Sequence, residues 1–113
     1  MSEYASTNDI LIRVQETARE KGIRITFANM KVYLMLLEYS KECKDDIEII
    51  DDIKSIRFEI TSLELAKYCN STNRIVLDSL RKLRDCGIID YNTGFRSNNQ
   101  QSPTVRLYKR YFE

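Results

Sequence analysis

The chain has 113 residues, enough for one domain of ordinary size and too few for two, so a multidomain enzyme is excluded. With 42% hydrophobic and 31% charged residues, three glycines and one proline, it can supply a core and is neither collagen-like nor low-complexity. The net charge of +1 conceals an asymmetry: residues 1–70 carry 10 Lys and Arg against 13 Asp and Glu, and residues 71–113 carry 8 against 4, so the basic part is the C-terminal one.

Asn8 and Asp9 are placed to cap a first helix over residues 8–21, on which Ile10, Leu11, Val14 and Ala18 recur at helical spacing before Lys21-Gly22 closes it. A short extended run is expected over 23–27. Residues 30–39 then read as a helix apolar almost all round, with Met30, Tyr33, Leu34 and Leu37 as a buried stripe, the central core helix. From 43 to 54, Asp45, Asp46, Glu48, Asp51 and Asp52 alternate irregularly with Ile47, Ile49, Ile50 and Ile53, an acidic excursion to which periodicity assigns no structure.

Residues 57–60 alternate polar and apolar and suit a short strand. Thr61 or Ser62 can cap a short helix to Cys69, and Ser71 or Thr72 can cap a longer one to Cys86, stopped by Gly87. Two helices thus meet across a very tight turn. A strand over 88–91, a loop over 92–103 rich in Gly, Ser, Asn and Gln, and a strand over 104–111 with Val105 and Leu107 on one face complete a hairpin with a long tip. The fold class expected is α+β, mostly helical.

Little points to chemistry. Cys43, Cys69 and Cys86 are widely spaced and the chain has no histidine, so neither a zinc site nor a histidine-assisted nucleophile can be assembled. Gly22, Gly87 and Gly94 are too dispersed for a phosphate-cradling loop. An enzyme is not expected, nor a cofactor or metal. The longest apolar run, 32–37, is far short of the roughly 20 residues that a bilayer span needs. The start Met1-Ser2-Glu3-Tyr4 lacks the order of a signal peptide, so a cytoplasmic protein with no membrane partner is expected.

The segment 63–89 carries the functional reading. Leu65-Ala66, Cys69 at an apolar place, Asn70 at a turn place, Thr72 at a cap, then Val76, Leu80, Leu83 and Gly87-Ile88-Ile89, followed by the hairpin, resemble the winged helix-turn-helix family of DNA-binding proteins. The resemblance covers about residues 28–111 and implies a helix-turn-helix over 62–86, a wing hairpin over 88–111 and an added N-terminal helix. Two positions depart from the family's pattern: Asn70 replaces the turn glycine, which its tolerance of left-handed backbone permits, and Ile75 replaces a common threonine, removing one hydroxyl from the phosphate contacts.

On the long helix, Thr72, Val76, Ser79, Leu80, Leu83 and Cys86 fall on one side, while Arg74, Leu77, Asp78, Arg81 and Asp85 fall on the other, flanked by Lys82 and Arg84. Its first turns would bring Asn73, Arg74 and Leu77 to base edges: arginine suits guanine, asparagine adenine, and a leucine the thymine methyl. Ser71, Thr72, Asp78, Arg81 and Lys82 complete that face, and Arg96 at the wing tip would enter a minor groove, with Arg106 on phosphate. Lys109 and Arg110 are expected as phosphate or surface charges, and Tyr108, Tyr111 and Phe112 as packing residues.

One winged helix reads only a few base pairs, so a homodimer on double-stranded DNA is expected. The stripe Ile10, Leu11, Val14, Ala18 must be buried on its own domain or on a second copy, and the second copy is the expectation. The role expected is a transcriptional regulator. A plasmid or phage partition protein binding centromere repeats, or a replication-initiation module, would need no different residues. From other classes come a protein-interaction module working through the acidic segment 43–54, and a single-strand binder using Phe95, Tyr91 or Tyr108.

Overall fold

A computed structural model describes residues 4–42, 49–92 and 103–113. Among them the elements run α1 (Thr7–Glu20), α2 (Phe27–Glu42), β1 (Ile50–Asp51), β2 (Ser55–Glu59), α3 (Ser62–Cys69), α4 (Asn73–Asp85), β3 (Ile89–Asn92), β4 (Thr104–Tyr108) and a 3-10 turn (Lys109–Tyr111). The architecture is α+β and mostly helical, with one small antiparallel sheet of order β1-β2-β4-β3.

Helix α1 begins one residue earlier than expected and is capped by Ser6, whose side chain accepts from the Asp9 amide at 3.2 Å, in place of Asn8 or Asp9. Residues 23–26 between α1 and α2 pair in no sheet. Helix α2 starts three residues before the apolar run because Thr26 and Asn29 cap each other reciprocally: the Thr26 amide donates to Asn29 Oδ1 at 3.0 Å and the Asn29 amide to Thr26 Oγ1 at 3.2 Å. Its buried positions include Met30, Val32, Tyr33, Leu36 and Leu37, whereas Leu34 is only half-buried. The helix packs on both α3 and α4, so more than one side of it is covered.

The acidic excursion is partly a strand. Ile50 pairs with Arg57 and Asp51 with Ile56, and the Asp52 carboxylate closes the turn by accepting from the amides of Lys54 and Ser55, both at 2.8 Å. These two amides hold the Asp52 carboxyl below the usual carboxylate range. Strand β2 therefore starts at Ser55, two residues before the expected run. The last strand is shorter than expected, because Tyr108 gives way to the 3-10 turn.

Strand β4 lies between β2 and β3 with Leu107 opposite both Ile56 and Ile89, and Val105 opposite Phe58 and Tyr91. These six residues form the inner face of the sheet and join the helical core. Arg106 stands opposite Arg57 and Asp90, on the other face.

The α1 stripe corrects an expectation. Ile10, Val14 and Ala18 are buried within the protomer itself, and Leu11 is half-buried, so this face is not free to meet a second copy. The added helix is tied to the C-terminus: the Ala5 amide donates to the Phe112 carbonyl at 2.8 Å, the Tyr4 and Phe112 rings lie 4.9 Å apart, and Arg13 donates to the Glu113 carbonyl at 3.1 Å.

The turn between α3 and α4 is set locally. Thr61 caps α3 through the Glu64 amide, Thr72 caps α4 through the Ile75 amide, and Asn70 between them takes φ 53° and ψ 49°. A β-branched residue in that left-handed well costs about 1–2 kcal/mol. Asn70→Val should therefore lower the urea-unfolding stability by about that amount, while Asn70→Gly should not. Equal stability of the two variants would show that the turn opens without cost.

Candidate nucleic-acid interface

Helix α4 is anchored from beneath. Val76, Ser79, Leu80 and Leu83 are buried, and Ser79 Oγ donates to the Ile75 carbonyl at 2.8 Å while accepting from Asn29 Nδ2 at 2.7 Å. Asn29 and Ser79 are both almost wholly inaccessible, so this polar pair fixes α4 against the first turn of α2.

The opposite side of α4 is a solvent-exposed ridge of Arg74, Asp78, Arg81 and Asp85. Leu77 and Lys82 flank it half-buried. Lys82 reaches back to Asp78 at 3.5 Å, and Arg84 lies 3.6 Å from Asp85, both pairs being open to solvent and therefore weak. Among the described residues Arg74 forms no ion pair. A helix with its side chains is about 10–12 Å across, the width of a B-form major groove, so the ridge can present Arg74, Asp78 and Arg81 to one.

The expected contact residues do not all come together. Ser71 is half-buried in the turn, and Thr72 Oγ1 accepts from the Ile75 amide at 3.2 Å, which leaves its O–H free to donate to an outside acceptor. Asn73 turns its Oδ1 inward, buried and without a partner, so a two-bond grip on adenine requires that side chain to rotate first. Arg106 lies on the sheet face turned away from the helices, beside Arg57 and within electrostatic reach of Asp52. Arg96 and the rest of the hairpin tip, with Phe95, lie outside the described residues, as do Cys43, Asp45, Asp46 and Glu48.

Of the other candidates, Tyr91 and Tyr111 are buried and Tyr108 is half-buried. Lys109 is held by Asp51 at 2.6 Å, and Arg110 donates to the Tyr111 hydroxyl at 2.8 Å, so neither is an idle cation. Cys69 and Cys86 are buried thiols whose pKa burial pushes up. No group of three His, Cys, Asp or Glu side chains able to hold a metal ion occurs among the described residues. Nor is any helix among them long and apolar enough to cross a membrane.

Two exposed features escaped the sequence reading. Phe27, at the start of α2, is 88% accessible, and Ile53, in the β1–β2 turn, is 91% accessible. The apolar run of α2 concealed the first, since nothing in composition says which aromatic stays outside. No protein-family model matches the chain, and no curated protein matches its sequence.

Proposed function

We propose that this chain is a winged helix-turn-helix protein that binds duplex DNA in the cytoplasm as a homodimer and acts as a transcriptional regulator. The observation that carries the reading is the α4 ridge: Arg74 and Arg81 stand exposed on a helix that follows a three-residue turn, with Asn70 left-handed, and is locked by the Asn29–Ser79 pair. The β3–β4 hairpin that follows α4, with β4 between β2 and β3, supports the reading, since the resemblance implies a hairpin after the longer helix. The charge of residues 71–113, net positive by 4, suits a polyanion. Partition or replication modules of the same family would use the same ridge.

Selection of bound sites from random duplex DNA tests the reading. Enrichment of one sequence, with an inverted repeat for a dimeric regulator or tandem repeats for a partition protein, is expected. No enrichment, together with no retention on duplex at moderate salt, would reject it. A second reading, as a protein-interaction module, is favoured by Ile50 and Ile53, which stand exposed in the acidic part of the chain.

A further inference from the structure

The β1–β2 hairpin holds an apolar tip beside an open hollow. The Asp52 amide donates to the Ser55 carbonyl at 2.9 Å to close the turn, and Ile53 projects from it, almost wholly accessible. With Lys54, Gly87, Tyr108, Lys109 and Arg110, Ile53 lines a hollow of about 470 Å³. At Gly87 an added Cβ would meet nothing within 4 Å, so the hollow is open there as well. Three cations and no carboxylate line it. Asp51 takes Lys109 and the Tyr111 hydroxyl takes Arg110, whereas Lys54 forms no ion pair among the described residues.

Tyr108 joins this hollow to the outer face of the sheet, on which Ile50, Arg57, Arg106 and Asp90 form one row across the four strands. Ile50 is 46% accessible. Arg57 and Arg106 stand directly opposite each other, a like-charge pair that a sheet disfavours. Neither forms an ion pair among the described residues, and nor do Asp90 and Glu59 on the same face. Asp52 accepts from the turn amides and from Ser55 Oγ, again with no cation paired to it among those residues. The hairpin and the face beside it thus carry exposed isoleucines together with unpaired charges of both signs.

A patch of that kind is complementary to itself, which is what a two-fold contact demands, since the same surface meets its own copy turned round. A partner of one charge sign would leave part of these groups without a counter-charge. The position suits a second copy as well. Gly87, at the hollow, follows the end of α4, and Arg74 lies in the first turn of that 13-residue helix, about 20 Å away. A two-fold axis at the hollow sets the two first turns up to about 40 Å apart, enough to span the roughly 34–36 Å between half-sites one helical turn apart.

Resting on the homodimer of the reading above, we infer that two copies associate through the β1–β2 hairpin, Ile53 of each seated in the hollow of the other and the unpaired charges of the two sheet faces set against each other. This surface takes the place that the α1 stripe, buried in its own protomer, cannot fill.

Sedimentation velocity of the full chain, free at micromolar concentration and on its selected duplex site, tests the contact in wild type, Ile53→Ser, Ile53→Leu and Phe27→Ser. Wild type should sediment as a dimer. Ile53→Ser should raise the dimer dissociation constant by about 30-fold, because a two-fold contact loses the side chain twice. Ile53→Leu keeps the apolar volume and should stay within a few-fold of wild type. Phe27→Ser removes an apolar side chain of similar exposure outside the patch and should change nothing. If wild type is dimeric and Ile53→Ser remains so, or Phe27→Ser dissociates equally, the hairpin contact is wrong and the homodimer reading stands. If wild type is a monomer both free and on its site, the homodimer has failed and the contact with it, and the patch belongs to a different protein partner. If wild type dimerises, Ile53→Ser separates the copies and no duplex is retained, the contact holds and the DNA reading alone has failed.

Discussion

Removing residues 1–21 should leave a chain that does not fold cooperatively. The truncation takes away Ile10, Val14 and Ala18, which are all but inaccessible, and uncovers the core that they close. Burying a large aliphatic side chain is worth about 1.5–3 kcal/mol, so losing Ile10 and Val14 together with the matching surface uncovered on the remainder costs about 6–12 kcal/mol. The whole stability of a small domain is about 5–15 kcal/mol. Circular dichroism during urea titration should therefore show a lost or strongly weakened transition. A dimerisation arm would behave otherwise, giving a stable truncated monomer by light scattering. That outcome would mean that the α1 stripe belongs to an interface after all.

The same residues show how far the sequence can be read. The α3–turn–α4 pair was legible because its determinants are local: Thr61 and Thr72 cap their own helices, Asn70 takes the left-handed turn, and Gly87 follows at φ +75°. Alternation likewise placed Val105 and Leu107 inward, because a strand with one buried face repeats every two residues. Where a partner distant in sequence decides, periodicity was silent. The stripe on α1 announced that it must be covered and said nothing about by what. The early start of α2 rests on capping that the long apolar run masked, and β1 exists only because Ile50 and Asp51 meet a strand across the Asp52 turn.

The candidate site divides in the same way. The α4 ridge follows from a period of 3.6 residues and emerged with the faces expected, with Arg74, Asp78, Arg81 and Asp85 outward and Val76, Leu80 and Leu83 inward. Asn73 holds its Oδ1 inward through a rotamer, which no sequence pattern specifies. Arg106, expected on phosphate, stands on the face of the sheet away from Val105 and Leu107, and which face the helices cover is a tertiary fact that alternation does not specify.

Arg74→Ala should weaken binding to the selected site by about 1–3 kcal/mol, or roughly 5- to 150-fold, and binding to random duplex by much less. Arg74 is singled out by position and by freedom. It occupies the first turn of α4, the end that leads into a major groove, and it has no ion-pair partner among the described residues, whereas Lys82 and Arg84 stand beside Asp78 and Asp85. A planar guanidinium can take the two acceptors of a guanine edge together, which an ammonium cannot, so Arg74→Lys should recover affinity for random duplex while leaving the loss on the selected site. Arg81, nearly two turns further along the same ridge, reaches less deeply and should show a smaller difference between the two DNAs. The measurement is a competition titration of the three variants at one salt concentration, because affinities at different salt are not comparable. Equal losses on both duplexes for Arg74→Ala, fully restored by lysine, would place Arg74 on a phosphate and leave the reading of sequence to other residues.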